Sequence, residues 1–377
     1  MKVSCLQDNL AKGLSLVQRA VSSRSSLPIL GTILVATDGP RLKLAATNLE
    51  IGINCWIGAK IEDEGAIAIP SRLMVDFVSS LPPERIEMDL NVRTNTLHLK
   101  CARFEANMNG MDPSDFPPIP GPEENNRISM DADVLRDVIR QVTIAAATDE
   151  SRPILTGVYA AFEGSEATFA AADGFRLSVR TAPLKQSVPE PLSVIIPARA
   201  LDELSRISSD QEDPIEMCIP QGRNQIVFHL TSVDLVSQLV EGRFPDYKQI
   251  IPRTHTTRTI LNTGELLQAV KTNYIYAREA SNVVKLQIVP TTDLATAHIN
   301  LNATAAQVGD NVGEVDATVE GQGLEIAFNS RYLIDVLSVI PEPQLQLDTT
   351  TSASPGVIRP VGSDDFVHVI MPMHITS

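Results

Sequence analysis

Three short stretches decide how this chain is read: Ile69-Pro70-Ser71-Arg72-Leu73, Ile196-Pro197-Ala198-Arg199-Ala200 and Phe328-Asn329-Ser330-Arg331-Tyr332. Each opens an apolar pattern of helical spacing, and their arginines stand 127 and 132 residues apart. Self-similarity at a fixed period marks repeated structural units, and here the period is the size of a domain. The 377 residues are therefore read as three similar units, 1–121, 122–252 and 253–377. Leu27-Pro28-Ile29-Leu30 returns as Arg152-Pro153-Ile154-Leu155, and Ala45-Ala46-Thr47-Asn48-Leu49-Glu50-Ile51 returns as Ala171-Ala172-Asp173-Gly174-Phe175-Arg176-Leu177. A Gly-to-Phe-Pro turn closes each of the first two units, at Gly110 to Pro117 and at Gly242 to Pro245. The third copy rests on its helix patterns and length, because residues 282–315 match the others only loosely.

Apolar residues at three-and-four spacing predict six helices, over 6–21, 71–81, 131–147, 198–208, 263–277 and 330–340, two per unit. Between them lie alternating or β-branched runs bounded by turn residues, among them 32–36, 41–45, 96–100, 158–162, 168–172, 226–230, 285–289 and 298–302. The expected class is α+β with antiparallel sheet. Hydrophobic residues make up 43% of the chain, enough for several cores. No run approaches the roughly 20 apolar residues of a membrane span, and the first eight residues turn polar too early for a secretory signal. A cytoplasmic address is expected. Cys5, Cys55, Cys101 and Cys218 share no C-x-x-C spacing and read as buried free thiols.

A net charge of −15 opposes ordinary nucleic-acid binding, which draws its affinity from Lys and Arg displacing phosphate counterions. The charge is unevenly spread. The six helix windows hold nine basic and nine acidic residues, so the whole acidic excess falls in turns and strands such as Glu62-Asp63-Glu64, 210–213 and Asp364-Asp365. On a helical wheel Leu10, Leu14, Val17 and Val21 form one stripe with Lys12 and Arg19 opposite. Leu201, Leu204 and Ile207 likewise oppose Arg199 and Arg206, and Leu135, Ile139 and Val142 stand away from Arg136 and Arg140. Two readings remain open at this level: ordinary solvated helix faces, or a common surface that meets a polyanion.

Motifs for catalysis are missing. The chain has no phosphate-binding G-x-x-x-x-G-K-[ST] loop, no G-x-G-x-x-G after a strand, no H-E-x-x-H and no G-x-S-x-G elbow. Its six histidines, His98, His229, His255, His298, His368 and His374, include no pair at metal-binding i,i+4 spacing. Asp173-Gly174 between strand-like runs is a hairpin signal. No catalyst, metal or cofactor is expected. Two alternatives from other classes stay in view: a nucleic-acid enzyme of three diverged domains, and an acidic interaction scaffold that never meets DNA.

Four segments carry a resemblance: Leu239-Val240-Glu241-Gly242-Arg243-Phe244-Pro245-Asp246-Tyr247, Asp173-Gly174-x-Arg176-Leu177, Phe328-Asn329-x-x-Tyr332-Leu333-Ile334-Asp335-Val336-Leu337 and Val369-Ile370-Met371-Pro372-Met373. In that order, across the whole chain, they resemble the bacterial sliding clamps, the beta subunits of DNA polymerase III. The resemblance implies a head-to-tail homodimer of three similar clamp domains per subunit, closed into a six-domain ring with helices around the hole. It implies a processivity factor with no reaction of its own, encircling duplex DNA without sequence preference and loaded by a separate clamp loader. Confinement then replaces tight contact, which accommodates the negative charge.

The same resemblance implies that short peptides of the replicative polymerase, the clamp loader and repair proteins dock in a hydrophobic groove. The matching positions are Leu155, Ala172, Gly174, Phe175, Arg176, Leu177, Pro252, Asn329, Tyr332, Val369, Ile370, Met371, Pro372 and Met373. Read without the family, Leu155, Leu177 and Val369 are plain core residues. Ala172 and Phe175 stand where the family commonly has a hydroxyl and an imidazole, and His374 where it has an arginine, so partner preference is expected to differ. Arg24 matches a DNA-contact position, and Lys12, Arg19, Arg72, Arg136, Arg140, Arg199, Arg206, Lys271 and Arg331 are helix cations available to face the hole. Because Arg72, Arg199 and Arg331 recur at helix starts, a shared structural role accounts for them equally well. At the subunit contact, Phe104 is expected against Ile275 and Tyr276 of the other copy.

Overall fold

The alternating runs are strands and the periodic runs are helices in the computed structural model of the chain, which describes residues 1–22, 26–123, 127–220, 222, 224–291 and 296–373. Six α-helices are described: α1 (Gln7–Val17), α2 (Ser71–Ser80), α3 (Ala132–Thr143), α4 (Ala198–Ile207), α5 (Thr263–Ala277) and α6 (Ser330–Leu337). Strand pairing is antiparallel throughout the described residues. Two compact units divide the chain, Met1–Leu135 with Arg199–Leu239, and Arg136–Ala198 with Val240–Ser377.

The first unit holds two sheets. One has five strands in the order Lys60–Asp63, Lys2–Leu6, Arg85–Asn91, Thr96–Cys101 and Phe104–Asn109. The other has eight, and at its centre Ile51–Gly58 pairs with Val233–Gln238, a strand of the middle repeat. Hydrogen bonding thus crosses from one repeat to the next, which is why the compact units do not follow the repeat period. Helix α1 packs on α2 and on Ile51–Gly58, with Leu10, Leu14 and Val17 fully buried. Val21, expected in the same stripe, lies past the helix, which tightens into a 3-10 turn at Gln18–Ala20.

The second unit is built on a run of twelve strands. Arg176–Pro183 pairs with Phe366–Ile370 in the same way, again joining one repeat to the next. Its main core gathers Leu266 and Val270 of α5, Leu333, Val336 and Leu337 of α6, and strand residues such as Leu286, Phe328 and Phe366. Each such buried side chain contributes about 1.5–3 kcal/mol. Asn262 and Asn329 cap α5 and α6, their side-chain oxygens accepting from the N–H groups of Glu265 and of Arg331 and Tyr332.

Helix starts follow the sequence pattern within one residue, and every end but that of α5 at Ala277 falls earlier than expected. The pattern over 131–147 stops at Thr143, where Ala145 and Ala146 donate to Val142 and Thr143 in a tightened turn and Ala147 N–H bonds Leu155 O at 2.8 Å. Helix α6 ends at Leu337, short of Pro341, which cannot continue a helix.

Candidate docking patch and nucleic-acid surface

In the second unit the Asp173-Gly174 pair turns the hairpin between strands Glu166–Ala172 and Arg176–Pro183. Asp173 Oδ1 accepts from the N–H groups of Phe175 at 2.8 Å and Arg176 at 3.0 Å, and Gly174 takes φ +94°, a conformation that suits glycine. Arg176 then fixes three neighbours. Its Nε donates to Asp173 Oδ2 at 3.0 Å, its Nη1 to Asp335 Oδ2 at 2.6 Å, and its guanidinium lies 4.1 Å from the centre of the Tyr332 ring. Burial, then the nearby Asp173 carboxylate, pushes the Tyr332 phenol above its ordinary range, so the ring stays neutral.

The terminal segment is tied to the same turn. Met371 N–H donates to Phe175 O and Met373 N–H to Ala327 O, each at 2.8 Å. Beneath lies an apolar cluster containing Ala172, Leu177, Val357, Val369, Phe244 and Tyr247, with Leu155, Ile154, Tyr159 and Ile251 half-buried around it. Tyr159 stacks on Phe244 at 5.6 Å and tilts against Tyr247 at 6.0 Å. Phe175 and Met371 remain 58% and 40% exposed, so the reachable apolar atoms are those of the rim.

Most of the residues expected in a groove therefore come together. Leu155, Phe175, Met371, Pro372 and Met373 are accessible in whole or part, while Ala172, Leu177 and Val369 form a buried floor. Tyr332 lies under Arg176, Asn329 caps the helix that carries Tyr332, and Gly174 forms the turn. Two residues fall elsewhere: Ile370 is fully buried in the helix-facing core, because successive residues of a strand point to opposite faces, and Pro252 lines a neighbouring polar recess. His374 lies outside the described residues. Sequence reasoning missed the supports: Phe244, Tyr247 and Asp335 stood in quoted segments read only as a turn, a helix or a family signature, and nothing local links Tyr159 to the site.

The expected nucleic-acid contacts are helix cations. Arg72, Arg199 and Arg331 are each the second residue of a helix and each is exposed. Lys12 and Lys271 are also exposed, whereas several others already have carboxylate neighbours: Arg19 and Arg206 both bond Glu203, at 3.1 and 2.7 Å, and Arg140 bonds Asp137 at 2.9 Å. Arg72 lies 3.7 Å from Asp76 and stays 95% exposed at its side chain. Arg136 is half-buried with a partner of its own. Arg24 lies outside the described residues. Phe104 stands 54% exposed on the free edge of the five-stranded sheet, and Ile275, equally exposed, occupies the last turn of α5 beside half-buried Tyr276.

Comparison with known proteins fixes what these features belong to. The family descriptions of the DNA polymerase III beta subunit match end to end: its N-terminal domain over residues 1–120, its central domain over 129–246 and its C-terminal domain over 248–374. The chain belongs to this beta-subunit family. It is 32% identical over 385 residues to the beta sliding clamp of Bacillus subtilis and 31% identical over 383 residues to that of Staphylococcus aureus, covering 99% of both chains in each case. Its fold superposes on the crystal structure of the Bacillus subtilis DNA polymerase sliding clamp with a TM-score of 0.94 at 30% identity, covering 100% of both chains. The Thermotoga maritima beta subunit superposes at 0.90 with 26% identity over the same full coverage. For this family the resemblance read from the sequence is the correct one. Among the described residues, no helix is long and apolar enough to cross a membrane, and no three His, Cys, Asp or Glu side chains gather as metal ligands.

Proposed function

We propose that the chain is a processivity factor: two copies close head to tail around duplex DNA, and the patch at Phe175 and Met371 tethers the replicative polymerase. One observation carries the ring. The strand Ile51–Gly58 of the first repeat pairs with Val233–Gln238, the last strand of the second, and Arg176–Pro183 of the second pairs with Phe366–Ile370, the last strand of the third. The corresponding strand of the third repeat, Gly309–Gly321, has a partner on one side only along residues 309–316, and Phe104–Asn109, the last strand of the first, has one free edge. A second copy supplies what each edge lacks. Asp310, Glu314 and Asp316 on one edge meet Arg93 and Arg103 near the other, and exposed Ile275 meets exposed Phe104.

Three domains over 1–121, 122–252 and 253–377 remain the natural division of the repeats. With DNA held by enclosure, the helix cations need supply only weak, sequence-independent phosphate contacts. Opening and loading fall to a separate clamp loader, and that loader and repair proteins share the polymerase's patch. The chain itself catalyses nothing, and it works in the cytoplasm. Retention on DNA tests the proposal: the protein loaded on nicked circles stays through a salt wash and runs off after linearisation. Equal retention on circles and linear DNA, lost together as salt rises, identifies an electrostatic binder instead.

A further inference from the structure

The apolar patch continues into a polar recess. Val357 and Ile251 belong to the apolar cluster, and both also line a cavity of about 540 Å3 whose other walls include Arg253, His255, Arg258, Asp348 and Arg359. Asp348, only 5% exposed, accepts from Arg258 Nε at 2.8 Å and Nη2 at 2.9 Å, and from Arg359 Nη1 at 3.4 Å. His255 Nδ1 lies 3.9 Å from the same carboxylate. A guanidinium carries five N–H donors, so one carboxylate leaves most donors of this partly exposed pair facing solvent. Arg253 at the rim is exposed and has no ion pair among the described residues. The cavity walls carry three arginines, Arg253, Arg258 and Arg359, against the carboxylates of Asp348 and Asp364, with Glu320 acting on Arg258 from outside the lining, in a chain of net charge −15.

We propose that this recess is a specificity subsite that receives an acidic side chain flanking the apolar anchors of a docked peptide. The inference rests on the docking reading above and adds the chemistry of the neighbouring residue. A carboxylate entering beside Arg359 and Arg253 takes charge-assisted hydrogen bonds in a partly desolvated pocket. Val357 and Ile251 connect the two sites, so one extended segment spans both. A neutral amide of the same shape offers no charge to the arginines, and its oxygen accepts more weakly.

Fluorescence anisotropy of the full chain with labelled ten-residue peptides tests it. All peptides share leucine and phenylalanine anchors; two carry Asp-Glu at one end or the other, and a control carries Asn-Gln at both. One acidic peptide should bind about 5–10-fold tighter than the control at low salt, as an exposed to half-buried charge pair allows. That advantage should fall to less than about twofold in Arg253→Ser and in Arg359→Gln, with binding of the control unchanged. Arg253 is exposed, so the first variant keeps its fold if the second does not. Equal affinity of acidic and control peptides, or an advantage that survives both substitutions, overturns the subsite and leaves Arg258, Asp348 and Arg359 as a structural ion cluster. Failure of every peptide to bind overturns the docking reading and the subsite with it.

Discussion

Arg176 is the side chain on which the proposed docking patch is hung. Its side chain is 11% exposed, it bridges Asp173 and Asp335, and it lies over Tyr332, so its removal strands a nearly buried Asp173 carboxylate. Arg176→Met should therefore cost about 2–3 kcal/mol in urea unfolding and weaken polymerase-peptide binding more than tenfold; full binding by a folded variant would show that the turn holds without it. His368 makes a different prediction. It is fully buried opposite Ser178, and burial, aided by the Arg176 charge, lowers its pKa to about 3. The unfolded imidazole takes a proton below about pH 6.5 while the folded one stays neutral, so this contribution is complete at neutral pH and is lost as pH falls from 6.5 toward 3. Between pH 6.5 and 5 the wild type should lose about 2 kcal/mol more than His368→Asn, measurable by parallel urea titrations. The arginine repeat was legible because Arg72, Arg199 and Arg331 recur at one register; the role of Arg176 as a support was not, since its partner Asp335 lies 159 residues away. A cation at a helix N-terminus opposes the helix dipole by about 0.3–1 kcal/mol. Only Arg72 recovers part of that cost, through its i,i+4 contact with Asp76, which favours a positive surface over helix stability as the reason the three recur.

At the scale of elements, the two junction sheets share a register but differ in one packing choice. The hairpins superpose Gly52 on Leu177, one residue away from the sequence alignment that set Ile51 there: Leu177 pairs with Val369 in the second unit, and Gly52 with Val236 in the first. Missing a side chain at Gly52, the first junction is filled by Ile119 of the proline-rich segment, whose Cγ2 lies 3.0 Å from where a Cβ would stand. The prolines read from the sequence as a linker thus act as a plug, and the patch opens at the other junction. Gly52→Leu should destabilise by about 1–3 kcal/mol through overpacking, and Ile119→Ala should relieve part of that cost. A double-mutant cycle in urea checks the coupling; strictly additive changes would place the two residues out of contact. The terminal segment offers a second test. Because Val369 and Ile370 are buried in strand Phe366–Ile370, truncation should begin after it: removing 371–377 should abolish peptide binding in anisotropy while leaving the dimer intact by light scattering. Helices and strands were readable because their periods survive in single segments; helix ends and the pairing across repeats were not, since tightened turns and partners more than a hundred residues distant decide them.

For the whole molecule, negative charge and DNA association conflict only if binding means adhesion. The helix cations are few and several already bond Glu203 or Asp137, so phosphate contacts alone give weak, salt-sensitive binding. Enclosure removes the need for strength, and it makes function depend on the free edges at Phe104–Asn109 and Gly309–Gly321. Ile275 is exposed and Tyr276 half-buried, so charging both leaves the α5 core residues Leu266 and Val270 in place. Ile275→Asp with Tyr276→Asp should give a folded protein of half the mass by light scattering, with urea stability within about 1 kcal/mol once dimer linkage is allowed for. The same variant should lose retention on nicked circles yet still bind labelled peptide, because the patch lies within one chain. Persistence of the dimer would move the subunit contact away from α5, whereas a monomer that still stays on circles through the salt wash would show that enclosure is not what holds DNA.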